Sequence, residues 1–234
     1  MYKQAFRTYD EISVFVLLIA TVTTVVSHLT SSSWVIIFMT MMIAYSAHRN
    51  ILTGETPTLK KNPDKEANFP WAFMWRFLTL ILVPIIIAIA LAYKTVGSSN
   101  VFNFTLIVVI VYFAGLGITL SLVGTVLPAA SVNADASYSA ALKRGKPLFW
   151  NTLWKLFYGP VVMAILGGVL LQQLYSLVPY FVPIASMKPV IYIFIEIIYV
   201  AISFFSTVLV ATILSQVYME SEGVTVLKSD NPGH

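Results

Sequence analysis

Long apolar runs, separated by short clusters of polar and charged residues, dominate the pattern of this chain. A helix that crosses a lipid bilayer needs about 20 mostly apolar residues, and several runs here approach or exceed that length. The runs are continuous and do not alternate at period two, which argues against membrane β-strands. The pattern therefore predicts an all-α integral membrane fold in one domain, residues 1–234, with six transmembrane helices. The predicted spans are 12–29, 34–47, 77–93, 101–130, 156–181 and 190–217.

The basic residues predict which way these spans cross the membrane. Cytoplasmic loops of membrane proteins carry an excess of Lys and Arg. If the N-terminus lies inside, all 14 Lys and Arg residues fall in cytoplasmic segments except Lys94 and Lys188. This bias predicts an N-in/C-in topology, with both termini cytoplasmic. The first apolar run is too long for the apolar core of a signal peptide, so we expect the first helix to be retained.

Two of the predicted cytoplasmic segments are longer than simple turns between spans. Residues 49–71 carry charges and prolines, and they are predicted to form a solvated loop. In residues 131–155, either Asp135 or Ser137 is suited to cap a short helix, because its side-chain oxygen can accept a bond from a free backbone N–H. Pro147 is suited to begin a second helix. We therefore expect two short helices between the fourth and fifth spans.

Basic and aromatic side chains are interleaved along this second segment. That combination predicts an interfacial amphipathic segment between helices 4 and 5, in contact with anionic inner-leaflet lipids or with a partner protein. An ordinary aromatic belt fits the same residues, with lysines whose aliphatic chains are partly buried and whose ammonium groups reach water. The candidate contacts are Lys143, Arg144, Lys146, Trp150, Trp154 and Lys155.

The composition excludes several classes of protein. Hydrophobic residues make up 58% of the chain and charged residues 10%, against about 25% charged in an ordinary soluble domain. The mean hydropathy of +0.84 leaves too little polar surface to cover a water-soluble globule. A soluble enzyme, a nucleic-acid-binding protein and a disordered chain are excluded on this ground. Because the chain has no Cys, disulfides, zinc–thiolate sites and thiol nucleophiles are excluded as well.

Glu196 is the acidic residue that lies deepest within a predicted span. Counted from Lys188, it lies about 12 Å along the helix, in the outer half of the bilayer. A carboxylate at that depth must be protonated, paired or turned toward water. Gln172 and Gln173, at similar depth in the fifth span, are its candidate partners. The pattern predicts either a proton- or cation-coupled site or an interhelical hydrogen bond between the fifth and sixth spans.

The histidines are too far apart along the chain to share a metal. His28 and His48 lie at opposite ends of the first and second predicted spans, and His234 is the last residue. We therefore expect no metal and no haem held within the chain. His48 and Arg49 are predicted to form a cytoplasmic anchor, and Glu55 can fold back to pair with it. The sequence holds no phosphate-binding lysine loop, dinucleotide fingerprint, zinc-protease motif or serine nucleophile elbow, so no cofactor is expected.

Glycine and proline residues interrupt the later spans. Gly124 and Pro128 lie near the end of the fourth predicted span, and Pro160 lies early in the fifth. Such residues allow close helix approach, local unwinding or kinks. In this chain they are predicted to mark the faces at which helices pack together, in preference to a substrate cavity.

Three stretches of the sequence carry a resemblance to known proteins: AYSAHRNILTGETP, GTVLPAASVNADASYSAALKRGKPLFWNTLWKL and LSQVYMESEG. They resemble bacterial multi-pass YciC-like proteins and the membrane domain of some glycerophosphodiester phosphodiesterases. The resemblance implies a helical membrane bundle and implies no reaction, because the soluble catalytic domain of the phosphodiesterases has no counterpart here. The matching positions are Leu127, Pro128, Ala129 and Ala130, then Ser137 and Ala141, then Phe149 and Trp150.

A membrane enzyme or an ion-driven pump usually displays several ionisable groups at bilayer depth, whereas this chain displays one. We therefore expect a non-catalytic, multi-pass protein of a bacterial inner membrane. It would serve as an accessory or structural subunit of a larger membrane assembly, or form a homo-oligomer. Its expected partners are anionic lipids and other membrane subunits or itself. The alternative is a small permease or a lipid-handling protein that uses the Glu196 region.

Overall fold

The computed structural model describes residues 2–30, 34–55, 70–96, 101–181 and 188–223, with side chains except at 28–30, 180–181 and 188–189. Within these ranges the chain is almost entirely helical and contains no strand, which confirms the all-α prediction. A π-helical turn, Phe157–Val161, joins the seventh and eighth helices. The helices are α1 Tyr2–Glu11, α2 Ser13–Thr30, α3 Trp34–Thr53, α4 Trp71–Val96, α5 Val101–Val123, α6 Val126–Ser131, α7 Tyr138–Leu156, α8 Val162–Phe181 and α9 Lys188–Ser221.

Five helical segments in the described ranges are long and apolar enough to cross a membrane. They are α3, α4, α5, the continuous segment Tyr138–Pro179 that contains α7 and α8, and α9. A sixth is obtained if α1 and α2, which meet at a bend of 73°, are counted as one span. The chain therefore has the helices of a multi-pass membrane protein.

The N-terminal residues ahead of the first predicted span form a helix of their own. α1 is rich in charged and polar residues and buries Ala5 and Thr8, whereas α2 is almost entirely apolar. At the bend, the Ser13 hydroxyl donates a hydrogen bond to the Asp10 carbonyl, 2.7 Å away. The change from polar to apolar sequence thus coincides with the change in helix direction.

The helices pack in two groups that meet at one end of the bundle. In the first group, α2 and α3 pack against α9 around Ile12, Val16, Ile43 and Val208, and α8 packs along α9. In the second group, α4 packs against α5, and α5 against α7, which also packs against α9 of the first group. Between the groups, every residue of α6 is buried, and this helix contacts α3, α4 and α9. In the described residues, the hairpin of α4 and α5 touches α3 only slightly.

The predicted fourth span, 101–130, is divided into α5 and α6 by a turn at Gly124 and Thr125. A Cβ atom at Gly124 would lie only 2.3 Å from the Leu120 carbonyl oxygen and 2.8 Å from Leu214 Cδ2 of α9, so the turn depends on a residue without a side chain. Thr125 donates a hydrogen bond to the Ala141 carbonyl of α7, 3.4 Å away. Packing against α7 and α9 therefore fixes the break.

α7 is one continuous helix, so the prediction that Pro147 begins a second helix is wrong. Of the two predicted caps, Asp135 and Ser137, it is Ser137 that is the N-cap residue, and its hydroxyl accepts a hydrogen bond from the Ala140 N–H at 3.3 Å. A proline inside a helix removes one backbone bond and crowds the preceding turn. Here the helix continues through Pro147 because α5 packs along the opposite face of α7, where Gly145 lies against the Leu122 backbone.

Candidate functional site

α7 has one buried face and one exposed face. Its buried residues, Ala141, Gly145, Thr152 and Leu156, follow helical spacing and lie toward the rest of the bundle, α5 above all. Four of the predicted contact residues share the opposite, exposed face: Lys143, Lys146, Trp150 and Trp154. The structure thus brings these four together. Lys155, by contrast, is half-buried.

Close packing against α5 holds α7 in place. A Cβ atom at Gly145 would lie 2.1 Å from the Leu122 carbonyl oxygen, well inside any real contact distance. Farther along, a Cβ atom at Gly117 of α5 would lie 3.4 Å from Leu153 Cδ1. Glycine therefore sets the separation of the two helices and with it the orientation of the exposed face.

Arg144 makes contacts within the chain. Its Nε donates a hydrogen bond to Glu222 Oε1 at 2.5 Å, and its Nη1 donates to the Asp135 carbonyl at 3.0 Å. The guanidinium also lies over the Tyr218 ring, 5.1 Å from its centroid. Only 11% of the side chain is exposed. Arg144 therefore links α7 to the end of α9, whereas its lysine neighbours face outward.

The segment between α6 and α7 is held by two arginines. Arg76 of α4 donates to the Ala136 carbonyl at 2.7 Å, beside the bond from Arg144 to Asp135. The Ser137 N–H donates to Asp135 Oδ1 at 3.0 Å, and this hydrogen bond holds the pKa of the Asp135 carboxyl below its ordinary value. The carboxylate is thus charged at neutral pH and orders the turn that leads into α7.

An exposed aromatic cluster extends from the end of α7 into the π turn. Trp154 stacks on Tyr158 with ring centroids 5.5 Å apart, and the Phe157 ring meets both edge-on. The Tyr2 hydroxyl of α1 donates to the Tyr158 carbonyl at 3.1 Å. α1 therefore borders the aromatic cluster, and Phe6 on α1 is exposed as well.

α1 also belongs to this surface, which was not predicted from the sequence. The signal was present, because Tyr2 and Phe6 recur at i, i+4, as do Lys3 and Arg7. The helix lies ahead of the first apolar run and is too short to be seen as a span. Its pattern is that of an amphipathic surface helix.

Glu196 lies half-buried on α9, facing α8 at the level of Tyr175. Tyr175 interacts electrostatically with the Glu196 carboxylate, and its ring meets Tyr192 edge-on with centroids 5.4 Å apart. Gln172 and Gln173, the partners predicted by depth, have exposed side chains. Tyr175 of α8 therefore lies close enough to interact with Glu196 across the contact between α8 and α9.

His48 is not a surface anchor, and that prediction is wrong. It is fully buried, with Nδ1 2.8 Å from Ser215 Oγ of α9 and its ring edge against Phe73, centroids 5.9 Å apart. Burial follows because the second half of α3 lies between α9 and the start of α4. Glu55 does fold back, and it pairs with Arg49.

A metal site is not formed by the described residues, which contain no suitable group of three or more His, Asp or Glu. The side chains of His28 and His234, and the predicted loop residues 56–69, lie outside the described part of the chain. Comparison with protein-family models, with curated proteins and with solved structures finds no match to this chain. The resemblance to YciC-like proteins and to the phosphodiesterase membrane domain therefore stays a prediction.

Proposed function

We propose that this chain is a non-catalytic, six-span protein of a bacterial inner membrane and serves as an accessory or structural subunit of a membrane assembly, homo-oligomers included. The six spans follow if α1 and α2 act as one bent crossing. The placement of Lys and Arg supports N-in/C-in topology. No cofactor enters the proposal.

The observation that carries the proposal is the unpacked surface of α5. Of its 23 residues, all described, only Ser121 is buried. Phe102, Ile110 and Phe113 are each more than half exposed, although α4 and α7 already pack against this helix. The α5 helix therefore offers a long apolar surface to a neighbouring protein in the membrane. Helices in membranes associate through this kind of van der Waals packing.

The proposal is tested by single cysteines, because the chain contains none. Ile110→Cys on α5 and Ile165→Cys on α8 are a matched pair, since the two residues are 58% and 60% exposed. If α5 contacts a second copy, oxidation in native membranes yields a crosslinked dimer for Ile110→Cys and none for Ile165→Cys.

A heteromeric assembly is tested in parallel by purification in mild detergent and native-gel sizing. The expected result is a stoichiometric partner that is retained with the native chain. A lone monomer, together with no α5 crosslink, would contradict the proposal.

One observation favours a second candidate function, a small permease or lipid-handling protein. The rings of Tyr175 and Tyr192 meet between α8 and α9, in two predicted spans, and Tyr175 interacts electrostatically with the Glu196 carboxylate. A carboxylate at such depth is typical of ion and proton pathways. Proteoliposomes loaded with a pH-sensitive dye would test this reading: proton flux should fall in Glu196→Gln and be unchanged in Gln173→Asn. Equal flux in Glu196→Gln and the native protein would exclude a proton relay through Glu196.

A further inference from the structure

α1 is held firmly along one side and leaves basic and aromatic residues exposed on the other. Gln216 of α9 donates to Gln4 at 2.6 Å, and the Tyr9 hydroxyl donates to the Ala201 carbonyl at 2.9 Å. On the opposite side, Lys3 and Phe6 face outward. The outward residues are therefore displayed from a fixed helix.

Arg7 adds a second cation to α1. Its side chain is 73% exposed even though its Nε donates to Glu11 at 2.9 Å. Glu11 also accepts a bond from Asn50 of α3, and Asp10 beside it is exposed. The acids thus lie at the end of α1 next to the bend, whereas the start of the helix is basic and aromatic.

The exposed face of α7 changes in character along its length. Lys143 and Lys146 come first, Trp150 and Trp154 follow, and Phe157 ends the series. Beyond it, the exposed residues of the first two turns of α8 are all apolar. Lysines reach lipid phosphates and tryptophans settle at headgroup level, so this order matches the passage from water into one leaflet.

The length of this helical segment requires such a passage. The segment Tyr138–Pro179 has 42 residues and is about 63 Å long, twice the roughly 30 Å of a bilayer core. If α8 crosses the membrane, the first turns of α7, which carry Lys143 and Lys146, lie outside the hydrocarbon, while Leu153 farther along packs against Gly117 of the predicted span α5. The lysines and tryptophans of α7 then lie at the membrane surface.

We propose that α1, the π turn and α7 form one docking surface for anionic phospholipids of the leaflet that they face. The bond from Tyr2 to Tyr158 and the stacking of Trp154 on Tyr158 join the two helices. Lys3, Arg7, Lys143 and Lys146 bind the phosphates, and the aromatic cluster contacts the glycerol and upper acyl region. Clustered cations beside interfacial aromatics are complementary to anionic headgroups, which is why a lipid, and not a protein, is the occupant. This inference does not depend on the proposed function.

Brominated lipids test the surface directly. A parent variant with Trp34→Phe, Trp71→Phe and Trp75→Phe retains fluorescence from Trp150 and Trp154 alone. It is placed in nanodiscs of phosphatidylglycerol and phosphatidylcholine in fixed proportion, with bromine on one lipid or on the other. Quenching per mole is expected to be greater from phosphatidylglycerol than from phosphatidylcholine. Equal quenching per mole, or quenching by neither lipid, overturns the proposal, and the latter result would indicate that protein covers the surface.

Charge variants identify the residues responsible. The pairs Lys3→Gln/Arg7→Gln and Lys143→Gln/Lys146→Gln should each reduce the excess quenching by phosphatidylglycerol, and the four changes together should abolish it. Lys94→Gln removes an exposed charge at the other end of the bundle and should leave the excess unchanged. An excess that survives all four changes overturns the proposal.

A second measurement avoids the tryptophan changes in case they disturb folding. The native protein, extracted from the same lipid mixture, is examined by native mass spectrometry for the lipids that it retains. Retention of phosphatidylglycerol above its share in the mixture is expected, with loss in the four-charge variant. Retention in proportion to the mixture overturns the proposal.

Discussion

At residue 145, the absence of a side chain decides how closely α7 approaches α5. A methyl group there would collide with the Leu122 carbonyl oxygen, which belongs to a helix backbone and cannot rotate away. Gly145→Ala should therefore destabilise the protein by about 1–3 kcal/mol, the usual cost of overpacking. The measurement is thermal unfolding of the purified protein in detergent.

Gly168→Ala is the matched control, because nothing lies within 4 Å of a Cβ atom at that position in α8. Alanine is also the better helix former, by up to about 1 kcal/mol. Gly168→Ala should therefore leave the unfolding temperature unchanged or raise it slightly. If the two variants unfold alike, the close contact between α5 and α7 is not real.

The buried contact between His48 and Ser215 supplies a second prediction at this scale. Ser215→Ala leaves the Nδ1 atom of His48 buried without its hydroxyl partner. An unsatisfied buried polar group costs about 1–3 kcal/mol, so the free energy of unfolding should fall by that amount. Ser221→Ala, at an exposed position one turn and a half farther along α9, should have little effect. A Ser215→Ala variant as stable as the native protein would show that His48 has another partner.

Single residues show where sequence reasoning succeeds and where it fails. Asp135 and Ser137 were predicted as alternative caps because a cap depends on its own neighbours, and in the structure Ser137 is the one that caps α7. The surroundings of His48 depend on how α3, α4 and α9 pack together, and nothing in the local sequence reveals that. The histidine was therefore placed at a surface when it belongs to the interior.

At the scale of whole elements, Arg144 joins parts of the chain that are distant in sequence. It binds the end of α9 through Glu222 and the segment before α7 through Asp135. Arg144→Gln removes charge-assisted bonds that are largely shielded from water, so a loss of about 1–3 kcal/mol in unfolding free energy is expected. The variant should also speed proteolytic cleavage near residues 132–137, which mass spectrometry of the fragments would locate.

Lys143→Gln removes the same charge one residue earlier, where the side chain is exposed. Its effect on stability and on proteolysis should be small, because isolated surface charges contribute little. Equal effects from the two variants would mean that Arg144 acts through net charge and not through its bonds.

The elements also show the limits of apolar runs as evidence. An apolar run predicts where a helix can lie, but it does not reveal the turn at Gly124, since the residues on both sides are equally apolar. Proline favours the first position of a helix, and this preference is what predicts a helix start at Pro147. In the structure, packing against α5 outweighs this preference, and the helix passes through the proline.

For the molecule as a whole, the sequence predicted the helical membrane fold, since that depends on summed hydrophobicity. The grouping of the helices, linked by α6 and by the packing of α7 against α9, was not predictable, because the spanning helices are apolar on most faces. The exposed side of α7 was found from its lysines and tryptophans. Its continuation onto α1 depends on the tertiary contact between Tyr2 and Tyr158.

The N-in/C-in orientation is the most far-reaching prediction for the molecule as a whole. α4 has 26 residues and is about 39 Å long, which exceeds the roughly 30 Å bilayer core. Lys94 lies at its far end, and α5 returns to Leu122, which contacts Gly145 of α7. Lys94 and Lys143 thus lie at opposite ends of the bundle, and both are exposed.

Lys94→Cys and Lys143→Cys are consequently a matched pair for labelling in a chain that has no other cysteine. With a membrane-impermeant maleimide on intact spheroplasts, Lys94→Cys should be labelled and Lys143→Cys should be labelled only after lysis. The reverse result would establish the opposite orientation, in which most basic residues lie outside, against the usual bias. Labelling of both before lysis would show that α4 and α5 do not separate these residues across the membrane. Because the lipid surface on α1 and α7 lies at the same end of the bundle as Lys143, this experiment also determines which leaflet supplies the anionic lipid.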